Sequence, residues 1–363
     1  MFKRGFRPLL VGLIALGLSL PLAVTTAHAA ESGKSSLQKK KASASKSGAK
    51  RSSTASRKRN TNKVSRYGKR RAPVARISAA ERQRLLALAN LPHRVGPTEI
   101  FQIPAAQSAL LLESRAAVVM NAETGELLYS KNPDRTMPIA SITKLMTSMV
   151  VLDARLPMDE PITITEADVD NLRHTSSRLT VGTTLPRSDI MLLALMASEN
   201  RAAAALARTY PGGTAAAVAA MNRKARELGM QHTQFMDSTG LHSENSASPT
   251  DLVRMVKAAR AYPEIHQYST TAEHTVYSRG RVLAYHNTNA LVKNDTWNIE
   301  VSKTGFINEA GKCLVMQARI NATPVVIVLM DSAGRYTRIG DANRVKKWLE
   351  SAVNTETASN GKL

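Results

Sequence analysis

The chain has 363 residues, 43% of them hydrophobic, enough to bury a core in one large domain or two lobes. Its formal charge of +22 is unevenly spread: residues 31–80 carry 16 Lys/Arg against the single Glu31, and the 283 residues that follow hold only +4. That distribution excludes a globally basic nucleic-acid-binding domain, and the lone Cys313 excludes both an intramolecular disulfide framework and a multi-cysteine metal site.

Lys3, Arg4 and Arg7 precede an apolar stretch from Leu9 to Val24, and Ala27-His28-Ala29 supplies small residues for cleavage. Residues 1–29 therefore read as a cleaved signal peptide, which makes the mature protein soluble and periplasmic. A retained anchor is disfavoured. The stretch has 16 residues, interrupted by Gly12, Gly17, Ser19 and Pro21, and a spanning helix needs roughly 20. Residues 30–80 are Ser, Lys, Arg and Ala with Tyr67 as the one aromatic, so they cannot bury enough apolar surface to offset their ordering entropy. Disorder is expected there. Two readings stand for this basic segment: a solvated tether, favoured because nothing besides charge is specific, and attachment to an anionic wall or membrane surface. Nucleic acid is disfavoured as a partner because interleaved aromatics are missing.

Residues 81–104 hold a short helix, beginning at Ala80 and ending at Leu88, and a linker marked by Pro92, Gly96 and Pro97. The folded body is expected over 105–353, with a flexible end at 354–363. Within it, 116–120 and 126–130 read as a β-hairpin around 122–125. Helices are predicted from Ser141 to about Asp153, and over 187–209, 214–228 and 249–262. Gly229 stops the third of these, and Ser248, Pro249 and Asp251 cap the fourth. Runs at 298–303, 313–320 and 323–330 read as an antiparallel meander, and a helix over 341–350 closes the body. Strands at both ends with helices between them predict one antiparallel sheet completed by both termini, flanked by helices and a helical lobe: an α/β fold of the α+β type.

Three short motifs carry chemistry. In Ser141-Ile142-Thr143-Lys144 the serine and lysine are three apart, so on a helix the amine reaches the hydroxyl and, if neutral, can take its proton. Burial and a nearby cation favour the neutral form. The same spacing recurs at Ser36/Lys39, Ser43/Lys46, Ser47/Lys50 and Ser359/Lys362, but only Ser141 opens an amphipathic helix after a hairpin. The bland reading is a helix cap with a solvated lysine. Ser198-Glu199-Asn200 interrupts two apolar helical runs, where a loop can present a hydroxyl and an amide to a cleft. Its copy, Ser243-Glu244-Asn245, lies in a polar stretch, and for either copy an interhelical cap is the alternative. Lys303-Thr304-Gly305 ends a strand; its cation and hydroxyl suit a carboxylate, and Gly305 lets a ligand approach the backbone. An ordinary strand-end turn is the competing reading.

The three motifs, 57 and then 105 residues apart, resemble the site of the serine acyltransferases of the penicillin-binding and β-lactamase superfamily. From about Ala105 to Glu350 the chain is most similar to low-molecular-mass penicillin-binding proteins of the D-alanyl-D-alanine endopeptidase type, the penicillin-binding protein 7 family. The stretches AAVVMNAETGELLYSKN, PIASITKLMT, MASENRAAAALA, DSTGL and SKTGFINEAGKCLVM carry that resemblance. It implies that Ser141 is acylated with Lys144 as its base. It also implies that Ser198 relays a proton to the leaving amine, Asn200 holds the substrate amide, and Lys303 and Thr304 bind a carboxylate. The N–H groups of Ser141 and Phe306 would form the oxyanion hole, and Glu199 receives no role. The implied partners are peptidoglycan stem peptides, their cross-links and β-lactam inhibitors, with no metal or organic cofactor.

Relatives and rivals separate on a few residues. A class A β-lactamase needs an E-x-x-L-N stretch beyond the second motif, but the first carboxylate after Glu199 is Glu227, followed by Leu-Gly-Met. A penicillin adduct should therefore persist. The 58 residues after Gly305 leave no room for the C-terminal domain and anchor of carboxypeptidase relatives, which favours the endopeptidase. The carboxypeptidase stays as the alternative, with a non-enzymatic wall-binding module behind it. The eight histidines form no H-E-x-x-H or other tight ligand pair, and no G-x-S-x-G elbow exists.

Overall fold

A computed structural model of the chain describes residues 110–360, with side chains described to residue 351. The expected signal peptide, basic segment, short helix and linker lie outside the described residues. In β1 (Ala116–Asn121), Ala116, Val118 and Met120 face one apolar layer while Ala117 and Val119 face another. A strand covered on both faces needs apolar residues at successive positions, which is why this run lacks strict polar alternation. Gly125, at φ +77°, lies in the turn to β2 (Leu127–Lys131), an edge strand that is half-exposed.

After β3 (Met137–Pro138), a 3-10 turn at Ala140–Ile142 leads into α1 (Thr143–Asp153). Helix α1 is buried from Thr143 to Leu152, so it presents no polar stripe. Its Thr147 hydroxyl donates to the Ser238 carbonyl at 2.7 Å, which satisfies one of its few polar groups. A ribbon of β4 (Pro161–Thr163) and β5 (Thr184–Pro186) brackets the loop that includes 169–183. Helices α2 (Arg187–Met196), α3 (Asn200–Arg208) and α4 (Gly213–Glu227) follow. The single helix expected over 187–209 is broken at 197–199, where Ser198 takes a left-handed φ of +60°.

β6 (Ser246–Ala247) pairs with β3 and delivers α5 (Pro249–Arg260). The expected cap is present: the Ser248 hydroxyl oxygen accepts the Asp251 N–H at 3.2 Å. Helix α5 ends at 260 because α6 (Pro263–Ser269) opens on a proline, which pushes Tyr262 to an extended conformation. β7 (Glu273–Ser278) and β8 (Arg281–His286) form a hairpin beyond the predicted elements. Its turn, Arg279-Gly280, has φ of +49° and +74°, a geometry that sequences usually signal with Asn-Gly.

β9 (Asn298–Ile307), β10 (Gly311–Ile320) and β11 (Thr323–Ser332) make the predicted meander. The sheet order is β2-β1-β11-β10-β9, antiparallel throughout, so β1 from one end of the body zips to β11 from the other. The closing helix α7 (Thr337–Asn360) begins earlier than expected and runs into the segment read as a flexible end. Ala342 and Val345 are buried beneath it, and Trp348 and Leu349 are its last residues packed on that layer. One apolar layer lies between the sheet and helices α1–α6, a second beneath α7. The fold is the expected α+β arrangement of an antiparallel sheet flanked by helices. Each fully buried Leu, Ile or Val contributes about 1.5–3 kcal/mol. Cys313 is a free buried thiol, so among the described residues these layers hold the fold without a crosslink.

Candidate active site

Ser141 sits in the 3-10 turn ahead of α1, and Ala140 before it holds a left-handed φ of +48°. That conformation costs an L-residue about 1–2 kcal/mol and persists only under outside constraint. Two remote glycines supply it. A Cβ on Gly240 would lie 1.9 Å from the Ala140 carbonyl oxygen, and one on Gly305 would lie 2.7 Å from the Ile139 carbonyl oxygen. The turn is clamped between the 237–242 loop and β9. Gly305 lines the cleft, and it also admits the close approach of the Ile139–Ala140 backbone that leads into Ser141.

Lys144, in the first turn of α1, is wholly buried. Its Nζ lies 2.7 Å from Ser141 Oγ, 2.8 Å from Asn200 Oδ1 and 2.7 Å from the Thr239 carbonyl oxygen. Two of these partners only accept, and the hydroxyl can donate. A neutral amine, with two N–H donors and one lone pair, satisfies all three while aiming its lone pair at the serine proton. Burial pushes the Lys144 ammonium down to about 7, against the pull of Asp237 and Glu199. The arrangement can therefore deprotonate Ser141 near neutral pH.

Ser198 and Asn200 reach this centre from the break between α2 and α3. Asn200 Nδ2 donates to Thr175 Oγ1 at 2.9 Å, and Thr175 Oγ1 donates to Asp170 Oδ2 at 2.7 Å. This chain fixes the amide with its oxygen toward Lys144. Glu199 turns away: its Oε2 accepts from Ser177 Oγ at 2.5 Å. Asp170 also accepts the N–H groups of Leu172, Arg173 and Thr175, and these bonds hold its carboxyl below the usual range although burial opposes them.

Lys303 comes from β9, an edge strand of the sheet. It is buried, and Nζ donates to Ser198 Oγ and to the Thr304 carbonyl, both at 2.9 Å. Burial first, then Lys144 and Arg338, hold its ammonium well below the ordinary lysine value. An incoming anion would favour its charged form. Thr304 Oγ1 is 2.6 Å from Thr288 Oγ1. Phe306 is half-exposed beneath the Lys312 ammonium, 3.8 Å from its ring centre. The cleft between these groups has a volume of about 640 Å³ and is lined by Ser141, Ser198, Asn200, Thr304, Gly305 and Phe306 among others. Its charged walls are Arg173 and Arg338, and no carboxylate among the described residues lines it. Nor do the described residues include a group of three or more His, Cys, Asp or Glu placed to hold a metal.

All eight residues singled out from the sequence converge here. Several supporting residues were not legible: Asp170, Arg173 and Thr175 in the 169–183 loop, Thr288 after β8, and Arg338 in α7. The DSTGL stretch was quoted only as a similarity, yet Asp237 organises it. Its Oδ1 accepts the N–H groups of Thr239 and Gly240 and a bond from Asn245 Nδ2. An Asp followed by a Gly three residues later is an Asx-turn signal that could have marked this loop.

Residues 103–334 match the family model described as D-alanyl-D-alanine carboxypeptidase, peptidase family S11. The chain is 48% identical over 277 residues to a D-alanyl-D-alanine endopeptidase of Pseudomonas aeruginosa, covering 74% of this chain and 89% of that one. It is 44% identical over 283 residues to the D-alanyl-D-alanine endopeptidase of Escherichia coli, covering 77% and 90%. Among solved structures it is similar to the Streptomyces K15 DD-transpeptidase, at TM-score 0.62 and 27% identity over 66% of this chain and 97% of that one. With its Ser141 turn, buried Lys144 and strand-edge Lys303 in one cleft, the chain belongs to the S11 family of serine peptidases, a branch of the penicillin-binding proteins.

Proposed function

We propose that this protein is a D-alanyl-D-alanine endopeptidase that cuts D-alanyl cross-links of peptidoglycan through an ester on Ser141. Lys144 takes the Ser141 proton as Oγ attacks the D-alanyl carbonyl carbon. The N–H groups of Ser141 and Phe306 receive the developing oxyanion, the interaction that contributes most to lowering such barriers. Ser198 passes a proton to the leaving amine, and the C–N bond breaks. Water then attacks the seryl ester, releases the D-alanyl carboxylate and returns the proton to Ser141. Asn200 positions Lys144 and the substrate amide, while Lys303 and Thr304 bind the carboxylate beside the scissile bond. The observation that supports this reading most is the placement of the wholly buried Lys144 Nζ within hydrogen-bond reach of Ser141 Oγ, with Asn200 Oδ1 and the Thr239 carbonyl as its other partners, a set that a neutral amine satisfies with its lone pair toward the serine proton.

Preference for the cross-link over a terminal D-alanine rests on the endopeptidase relatives, whose lengths this chain covers by 89% and 90%. The leader-like residues 1–29 support export to the periplasm, and the basic residues 30–80 support a tether to an anionic wall or membrane surface. The test is incubation with cross-linked muropeptide dimers and monomeric pentapeptides, alongside a labelled penicillin. Dimers should be cut faster than pentapeptides release D-alanine, and the penicillin label should persist and vanish in Ser141→Ala. Release of D-alanine alone would assign the carboxypeptidase, and absence of label would leave only a wall-binding module.

A further inference from the structure

Lys303 and Thr304 suffice for one substrate carboxylate, yet the cleft carries two further cations on its walls, Arg173 and Arg338, and no carboxylate among the described residues. Arg338 lies against β9, with Nη1 3.5 Å from the Gly305 carbonyl oxygen. Arg173 stands on the 169–183 loop. It is held from three sides: its N–H donates to Asp170 Oδ1 at 3.0 Å, Nε donates to the Leu241 carbonyl at 2.5 Å, and Nη2 pairs with Glu309 Oε1 at 3.0 Å. The first two bonds fix the base of the side chain. The third is exchangeable, because the Glu309 side chain is 47% exposed in the β9–β10 turn, and a pair so open to water is weak.

We propose that Arg173 is a specificity-determining residue that recognises a second carboxylate on the peptide substrate, with Glu309 as its resting counter-ion. The proposal rests on the endopeptidase reading and extends it: the substrate class is a cross-linked peptide with an ionised carboxylate besides the one at the scissile bond. A guanidinium whose Nε is already engaged keeps its outer nitrogens for the incoming anion, and a carboxylate can take two of their N–H bonds where Glu309 takes one. The same Asp170 carboxylate that anchors Arg173 anchors Thr175, which holds Asn200. Reader and reaction centre thus share one support, which sets the distance between second carboxylate and scissile bond.

The experiment compares two synthetic cross-linked stem-peptide dimers. One has every carboxylate free; in the other all but the carboxylate beside the scissile bond are primary amides. Calorimetric binding to the Ser141→Ala protein reads the inference, and turnover by the intact enzyme separately reads the endopeptidase assignment. The free dimer should bind about tenfold tighter than the amidated one. Arg173→Gln should erase that ratio, Arg173→Lys should keep about threefold of it, and Glu309→Gln should widen it by removing the competitor. Equal binding of both dimers to Ser141→Ala, or an equal weakening of both by Arg173→Gln, would reduce the Arg173–Glu309 pair to a strap between loops and overturn the proposal. Selective binding without turnover would leave the proposal standing and sink the endopeptidase assignment.

Discussion

The tripeptide Ser-Glu-Asn occurs twice, at 198–200 and 243–245, and the two copies do opposite work. The first lies where α2 breaks, with Ser198 in the left-handed region, so that Ser198 meets Lys303 and Asn200 meets Lys144. The second is folded into the loop beneath the nucleophile. Its Asn245 is fully buried, accepts the N–H groups of Met236 and Asp237, and donates to Asp237 and to Thr143 Oγ1. One asparagine faces a buried amine whose proton is held loosely, while the other faces fixed backbone and a carboxylate. Identical residues become cleft groups or scaffold according to what the backbone sets opposite them.

The contrast is sharpest where the first copy's partner loses its acid–base chemistry. Lys144→Arg should lower the rate of penicillin acylation by at least about 10³-fold, since guanidinium stays protonated, while the thermal transition survives. Normal acylation, followed by label incorporation over time, would break the assignment of the base. Asn245→Ala should act on stability instead, costing about 2–4 kcal/mol in denaturant unfolding because several buried partners lose their bonds at once. Asn200→Ala should show the reverse profile, a loss of about 10²-fold in acylation with about 1 kcal/mol of stability.

A smaller effect comes from pH. With the Lys144 amine held at about 7, acylation should fall about tenfold per unit below that value and level off above it. The sign for folding follows from the same depression. The unfolded chain binds this proton up to the ordinary value of 10.5 and the folded chain only to about 7, so the penalty is full below about 7 and fades as pH rises through that window. A flat rate profile between pH 5 and 8, a span of roughly one titration, would contradict it. The smallest effect belongs to Ser243→Ala, which should stay within about 0.5 kcal/mol of the parent in stability. Its acylation rate should match the parent, whereas Ser198→Ala should slow peptide turnover by at least about tenfold.

Legibility followed the range of the interaction. The sheet's meander and the first hairpin were readable because unbroken apolar runs bounded by turn residues are written into adjacent positions, as in β1 and β11. The Arg279-Gly280 hairpin was not, because an arginine in the left-handed region carries no sequence signal. Gly305 reads from sequence as a place where a ligand nears the backbone and Gly240 as one letter of DSTGL; only their approach to the Ile139–Ala140 backbone shows why a side chain is excluded there. Asp170 was passed over because its four hydrogen bonds join residues whose importance lies in Asn200, a helix away.

The sequence by itself determined the three motifs, the helix that puts Ser141 and Lys144 one turn apart, and the apolar runs that become the sheet. These depend on spacings of a few residues, which the geometry of helix and strand converts directly into shared faces. Tertiary structure decided that Lys144 sits dry between Asn200 and Thr239, that Lys303 meets Ser198, and that Arg173 hangs over the cleft from an Asp170 anchor. Desolvation depends on every neighbour around a group, so the proton state on which this chemistry turns belongs to the packed molecule.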